Sequence, residues 1–332
     1  MTYEMNFADL VNIFVDPLSK KSLSLNKTND KLFFPNGKIV DFFNEIPNFT
    51  YPQNLSTCDQ YFQDFYEGRA KQYDDNLHLT FKTHNLDEEE SRRNFIKRLQ
   101  VKPEHKVLEI ACGTGRDSLI ISELLSSRGE LHLQDFSLDM MSRCKKKFND
   151  KKHLTSFCLS NAMYLPYRKN FFNCIYSFGA FAEFSDPKLA INEMIRVTKP
   201  GGRIVFGDEC VPYWLRETNF FKILCETNPM FASKLPLKFL PIEARNTSIE
   251  FVIGDSFYLI SFDVGEGEPS ANFDFKIPGL RGGTYNTRYF GKLEGVSPQT
   301  KDKVMKVALK KGISMHDWLD KTISEAADSE LL

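Results

Sequence analysis

Between residues 87 and 210 the chain alternates short apolar runs with amphipathic ones, and this alternation limits the fold more than any other feature. Strand candidates fall at 106–111, 130–136, 154–159, 172–178 and 203–208, with helix candidates between them at 116–126, 138–148 and 187–197. Strands that alternate with helices cannot pair as hairpins. They line up in parallel and bury both faces under the crossover helices. Asp87 is placed to cap a further helix, whose first turn is acidic (Glu88, Glu89, Glu90) and whose later part is basic (Arg92, Arg93, Lys97, Arg98), as the helix dipole favours. The expected class is α/β: a mostly parallel sheet with helices on both faces, with a small N-terminal module and a C-terminal extension.

Within this pattern, Val107-Leu-Glu-Ile-Ala-Cys-Gly-Thr-Gly115 is a buried strand running into a glycine turn and then a helix. Gly113 and Gly115 allow a sharp turn and a close approach of backbone to ligand. The next strand ends at Asp135, about twenty residues after the last glycine, where a nucleotide-binding fold sets the carboxylate that accepts both ribose hydroxyls. Glycine turns after strands are common, so the turn alone is weak evidence; the carboxylate at that distance strengthens it.

Composition narrows the function. Lys plus Arg (43) nearly balance Asp plus Glu (44), so the chain lacks the basic field that most nucleic-acid binders use. No apolar run reaches membrane-spanning length, and residues 1–10 carry acidic residues rather than the pattern of a signal peptide. The seven cysteines are scattered and form no CxxC, which suggests neither a metal site nor a disulfide framework and points to a reducing cytoplasm. Phe is over-used, at 30 residues, as in a chain with a well-filled core or an aromatic pocket.

The run 107–115 resembles motif I of class I S-adenosylmethionine-dependent methyltransferases. Two further blocks agree: Asn161-Ala-Met-Tyr-Leu-Pro-Tyr167 with Phe171-Phe-Asn-Cys-Ile-Tyr-Ser177, and Met194-Ile-Arg-Val-Thr-Lys-Pro-Gly-Gly-Arg203. The likeness covers residues 60–265 and is strongest to the branch of quinone-biosynthesis and other small-molecule methyltransferases. It implies a Rossmann-like, seven-stranded, mostly parallel sheet with helices on both faces. It also implies S-adenosylmethionine as cofactor, with Glu109 under the methionine ammonium, Gly113, Thr114 and Gly115 along methionine and ribose, Asp135 on the ribose and Phe136 against the adenine. Asn161, with Ala162 beside it, holds the position where the family usually has an aspartate bonding the adenine amine; its amide oxygen can accept the same bond. Asn173 likewise replaces a usual aspartate. Phe178 and Gly179 would face the methyl group, and Tyr66 and Tyr73 resemble the aromatic lid of this branch, although ordinary packing explains them as well.

Methyl transfer from a sulfonium needs positioning and desolvation, and a base only when the acceptor arrives protonated. Glu183, past the fourth strand, and Asp208 and Glu209, at the end of the fifth, are the candidates for that base. Each could equally be a solvated loop carboxylate. His132, in mid-strand, reads as a packed histidine.

The chain divides by pattern into 1–50, a small α+β module; 51–86, linker and lid helices; 87–265, the methyltransferase core; and 266–332, an extension with two short helices. Residues 1–50 are similar to the small zinc-ribbon-derived domain in front of some methyltransferases, through Asp16-Pro-Leu-Ser19, Phe34-Pro-Asn-Gly37 and Ile39–Pro47, with every metal-ligand cysteine missing. Such a copy would fold without zinc, on Phe33, Phe34, Phe42 and Phe43, with turns at Asn29-Asp30 and Asn36-Gly37. Gly254-Asp255 predicts a tight hairpin. In the extension, Arg281, Tyr285, Arg288 and Tyr289 could cover a substrate pocket or pack as a surface loop, and the last helix is expected to bury Trp318, Leu319 and Ile323, as a packing or homodimerisation element. The reading that unites these features is a cytoplasmic enzyme that methylates a small aromatic or apolar molecule. The alternatives are an RNA base methyltransferase and a non-catalytic cofactor-binding protein.

Overall fold

In the computed structural model, residues 7–26, 31–148, 153–280, 282–289 and 296–331 are described. Asn29-Asp30 and Arg281 lie outside the described residues. Residues 1–268 form one compact unit and residues 269–332 a second.

The sheet of the first unit has seven strands: β1 (Lys106–Ile110), β2 (Glu130–Asp135), β3 (Leu154–Leu159), β4 (Phe172–Phe178), β5 (Thr198–Glu209), β6 (Ala244–Val252) and β7 (Phe257–Val264). Their spatial order is β6-β7-β5-β4-β1-β2-β3. The first five are parallel, and the terminal hairpin inserts β7 antiparallel beside β5. The order reverses between β1 and β4, and at such a switch point the strands' carboxyl ends open a crevice for ligand.

Side chains alternate across the pleat. Leu108, Ile175, Ile204 and Phe206 enter one core, and Val107, Tyr176 and Val205 enter the other. The second core is covered by helices. These are α3 (Glu88–Lys97), α4 (Arg116–Leu124) and α5 (Leu138–Lys146), preceded in the chain by two further helices, α1 (Thr57–Tyr66) and α2 (Ala70–Asn76). Asp87 caps α3 by accepting from the Glu90 N–H, and the acidic first turn follows it as the dipole favours.

The first core is covered differently. Between β3 and β4 the chain makes only a single turn of 3-10 helix, Ala162–Tyr164, and α6 (Pro187–Val197) shields only part of that face. Residues 7–50 fill the gap. Leu10, Phe14, Leu32 and Phe49 are buried in the same cluster as the sheet residues, with the Phe14 ring tilted against those of Tyr167 and Phe49. The Phe49 N–H donates to the Leu159 carbonyl and Asn48 bridges to Leu159, so part of the free edge of β3 is paired. Residues that pattern alone sets apart as a module therefore share one core with the sheet. Their fold rests less on the expected phenylalanines than on Phe14, Leu32 and Phe49, since Phe43 stands exposed and Phe33 half-buried. Asp16 accepts the backbone N–H groups of Leu18 and Ser19 at 2.7 and 2.9 Å, so a carboxylate closes this turn.

Two local expectations are corrected. The hairpin loop has four residues, not two, because Val252 pairs with Phe257. Ile253, Gly254 and Asp255 all take the left-handed conformation, and His84 packs so close to Gly254 that a Cβ there would sit 2.5 Å from its ring. In the second unit the two helices are long, Pro298–Lys311 and Met315–Leu331, with Trp318 and Leu319 half-buried and Ile323 exposed.

Candidate active site

The glycine turn carries β1 into α4. Ala111, Gly113 and Gly115 all have positive φ, and Gly115 begins the helix. A Cβ on Gly115 would lie 2.5 Å from the Cys144 sulfur, so that glycine serves the packing of α5 under the turn and does not line the cavity. Gly113 does line it, with Tyr73 above.

Asp135, at the end of β2, is buried and accepts three backbone N–H groups, from Gly113 (2.7 Å), Phe136 (2.7 Å) and Ser137 (2.9 Å). Burial pushes its carboxyl up and these three bonds pull it down, with burial prevailing. Phe136, Asn161, Ala162, Met163 and Phe178 complete the walls around it. Asn161 sits at the end of β3 and accepts the Met163 N–H on Oδ1 at 3.0 Å, so the oxygen expected to meet an adenine amine already carries the cap of the short helix.

The cavity continues past Gly113 and Phe178 into a second lobe of about 730 Å³, lined by Tyr61, Phe65, Phe81, Glu109, Glu209 and Phe257 among others. Room of that size holds a drug-sized ligand. Glu109 faces this lobe from β1. It accepts the Ser118 hydroxyl at 2.5 Å, and burial, reinforced by the nearby Asp117, pushes its carboxyl well up. Behind it, Arg92 pairs with Glu88 and Asp117 at 2.8 and 2.9 Å, a buried ion cluster that the motifs gave no sign of.

Tyr66 and Tyr73 meet edge to face, 6.0 Å apart, and line both lobes. Tyr66 donates to Glu183 Oε1 at 2.7 Å. Burial, with Asp208 and Asp135 adding repulsion, outweighs that hydrogen bond and pushes Glu183 up to about 8. Glu183 is therefore a desolvated carboxyl at the junction of the lobes and not a solvated one. Asp208 does not reach the cavity: its two oxygens accept the Ala182 and Glu209 N–H groups, fixing the loop that presents Glu183. Its neighbour Glu209 does line the second lobe, and burial beside Asp208 pushes it well up too.

Thr114 and Asp74 join α2 to the turn. The Asp74 carboxylate, directly after Tyr73, accepts the Thr114 hydroxyl (2.7 Å), Arg116 (3.1 Å), Arg143 (3.0 Å) and Lys147 (3.0 Å). Burial raises this carboxyl, but the bonds from Thr114, Arg143 and Lys147 overcome it and hold it far below the usual range. No sequence motif marks Asp74, because its partners come from two distant segments, 114–116 and 143–147.

The model of the ubiE/COQ5 methyltransferase family matches residues 55–227, just over half of the chain. The chain belongs to this family. A demethylmenaquinone methyltransferase of Oceanobacillus iheyensis is 34% identical over 115 residues, covering 34% of this chain and 48% of the relative. A ubiquinone/menaquinone biosynthesis C-methyltransferase of Yersinia pestis is 36% identical over 108 residues, covering 32% and 43%. The chain thus spans about half the length of the curated relatives it matches. Among solved structures, phosphoethanolamine N-methyltransferase 2 of Haemonchus contortus in complex with S-adenosyl-L-methionine is similar at a TM-score of 0.48 and 13% identity, over 66% of this chain and 61% of that one.

The family's cofactor is S-adenosylmethionine, and the donor set at the crevice suits it. A buried carboxyl at Glu109 fits a cationic ammonium, Asp135 fits a diol, and the Asn161 amide nitrogen is buried without a hydrogen-bond partner among the described residues. No helix among the described residues is long and apolar enough to cross a membrane.

Proposed function

We propose that the chain methylates a small, apolar aromatic molecule bearing an ionisable hydroxyl, of the quinol type, in the second lobe, with Glu183 as the proton acceptor. The observation that carries this is the position of Glu183: half-buried, bonded to Tyr66, and shared by the lobe that holds Asp135 and Asn161 and the lobe walled by aromatic rings. The printed names of the curated relatives, which refer to menaquinone and ubiquinone, support the same acceptor class.

When bound, S-adenosylmethionine supplies a methyl group on a sulfonium, whose departure needs no proton. The protein's own part is to bind, align and dry the site. Phe178 stacks between Phe95 and Phe257 at 5.0 and 5.6 Å, making a rigid wall at the junction of the lobes. Tyr66 and Tyr73 close the side facing α1 and α2, and with the aromatic walls they exclude water. Glu183, in its carboxylate form, takes the hydroxyl proton of the acceptor, leaving an electron-rich ring or oxygen to attack, while the Tyr66 O–H holds Glu183 in place. A half-buried carboxyl near 8 is well matched to a phenolic hydroxyl, whose own pKa lies at about 10.

Seven free cysteines, five of them buried, fit a reducing cytoplasm. The near-zero net charge weighs against RNA as acceptor. Transfer of labelled methyl from S-adenosylmethionine into a panel of hydroquinones, simple phenols and total RNA tests the proposal. Label is expected in hydroquinones. Label confined to RNA, or in none of the three, rejects it.

A further inference from the structure

Glu209 is the last residue of β5, and the strand sets the direction of its side chain. Successive residues of a strand face opposite ways, and here Ile204 and Phe206 enter the first core while Val205 enters the second. Gly207 and Glu209 stand two and four residues beyond Val205, on its side. A Cβ on Gly207 would meet the Tyr258 carbonyl and come within 2.9 Å of the Phe178 ring, so that ring lies against the strand there. Glu209 follows, directly across the ladder from Phe257. The Phe178 and Phe257 rings stack at 5.6 Å with their planes 22° apart, and both line the second lobe, as Glu209 does. The carboxyl thus stands at the end of an aromatic wall on which a planar ring can lie.

The fold itself makes little use of this carboxyl. Asp208, beside it, spends its oxygens on the Ala182 and Glu209 N–H groups. Glu209 Oε1 receives one long bond, from Asn228 Nδ2 at 3.4 Å, and no cation pairs with it among the described residues. The side chain is half-buried and keeps accessible surface. Burial, with Asp208 and Glu183 adding like charge, favours its protonated form. A desolvated carboxyl with no cation is costly until something hydrogen-bonds to it, and a hydroxyl can both donate to it and accept from it. Glu183, which follows the neighbouring strand β4, faces the same lobe but is held by Tyr66. The lobe therefore offers two carboxyls to one occupant, and a single acceptor hydroxyl engages only Glu183.

We propose that Glu209 is a specificity-determining residue that holds a second oxygen of the acceptor ring, so that rings with two oxygen substituents are selected over rings with one. This rests on the assignment of a phenolic acceptor to the second lobe.

The test compares acceptors across variants. Methyl transfer from S-adenosylmethionine is followed, under reducing conditions, into methylhydroquinone and into 2- and 3-methylphenol, each of which lacks one of its hydroxyls. The ratio of kcat/KM for the diol to that for the better phenol defines the preference. The reactivity of each ring is the same for every variant, so it cancels when preferences are compared. Glu209→Leu should lower the preference about tenfold, as for loss of a desolvated hydrogen bond, with kcat/KM on the phenols within about threefold of wild type. Glu209→Gln, which still donates and accepts, should keep the preference within about threefold. An unchanged preference in Glu209→Leu, or an equal loss on diol and phenols, overturns the proposal. Calorimetry with S-adenosylhomocysteine, expected within about twofold of wild type, shows that a variant is folded, and Glu209→Ala takes the place of Glu209→Leu should the latter not fold. Transfer by the wild type to neither the diol nor the phenols overturns the acceptor assignment and this inference together, an outcome distinct from a preference that Glu209 does not set.

Discussion

The two lobes of the cavity are built by opposite means. In the first, the polar groups stand at strand ends and are held by backbone: Asp135 by three N–H groups, Asn161 by one, and Gln134 by the Ala111 N–H at 3.2 Å. In the second, the walls are mostly side chains from separate stretches: α1 and α2, residues 77–92, the end of β1 with the turn after it, the end of β4, residues 209–230, and the loop and start of β7. Backbone-held groups are fixed once the sheet forms. A lobe assembled from side chains can be re-lined by single substitutions without disturbing the sheet. A cofactor end of the first kind and an acceptor end of the second let one scaffold keep its chemistry while its substrate changes.

This contrast requires that substitutions at the two ends separate cleanly in what they affect. The largest effect is expected from Glu183→Gln. Gln keeps an oxygen for Tyr66 but cannot take a proton, so single-turnover methyl transfer should fall by roughly 10²–10⁴, with S-adenosylmethionine affinity within about twofold of wild type by calorimetry. A similar loss of affinity would place Glu183 in the cofactor end instead. Asp135→Ala, at the other end, should weaken S-adenosylhomocysteine binding by about a hundredfold, because three backbone donors lose their acceptor together; unchanged binding would break the cofactor assignment.

The pH profile comes next. Glu183 works as a carboxylate and is pushed up to about 8, so transfer should rise about tenfold per unit from pH 6 towards 8 and then level. Glu183→Gln should flatten that limb. The stability of the cofactor-free protein should run the other way. The folded state holds a proton that the unfolded chain gives up near its ordinary 4.5, so folding stability falls as pH rises from there through about 8. Melting curves of wild type and Glu183→Gln across that window check the sign: the variant should lose less.

The smallest effect is expected at α2. Asp74→Asn removes the charge that meets Arg116, Arg143 and Lys147 while leaving Tyr73 in place. Because the cluster is partly exposed and screened, cofactor affinity should drop only about three- to tenfold. The gap between variant and wild type should narrow as salt is raised. A gap independent of salt would mean that Asp74 acts by packing.

The same contrast explains what was legible in the sequence. Glu109, Gly113 and Asp135 sit in a strand–turn–helix whose spacing is dictated by backbone geometry, so a local pattern finds them. The parallel order of the first five strands follows from the strand–helix alternation in the same way. Asp74 and the Arg92–Asp117 pair have no such pattern, since each depends on segments brought together only by folding. For Asp208, position at a strand end does not say whether a carboxylate turns outward or is consumed by neighbouring N–H groups. Turn chemistry at Gly254-Asp255 likewise says nothing of His84, which comes from far away in sequence to bond Ser256 in the four-residue loop. In Asn161 the residue type was visible but its orientation was not, because the Met163 N–H decides it.

The way residues 7–50 join the sheet has a consequence for the order of events at the ribosome. Phe14 needs Tyr167, and the chain near Phe49 needs the edge of β3, so this stretch is made long before its partners exist. At 5–20 residues per second, something on the order of ten seconds separates the synthesis of Phe14 from that of Tyr167. During that interval its apolar side chains have only each other, and one short segment buries too little to fold by itself. Part of one face of the sheet is therefore completed by chain that has waited. A nascent chain arrested before β3 should be cut readily by protease within residues 7–50, and become resistant once the strand has emerged.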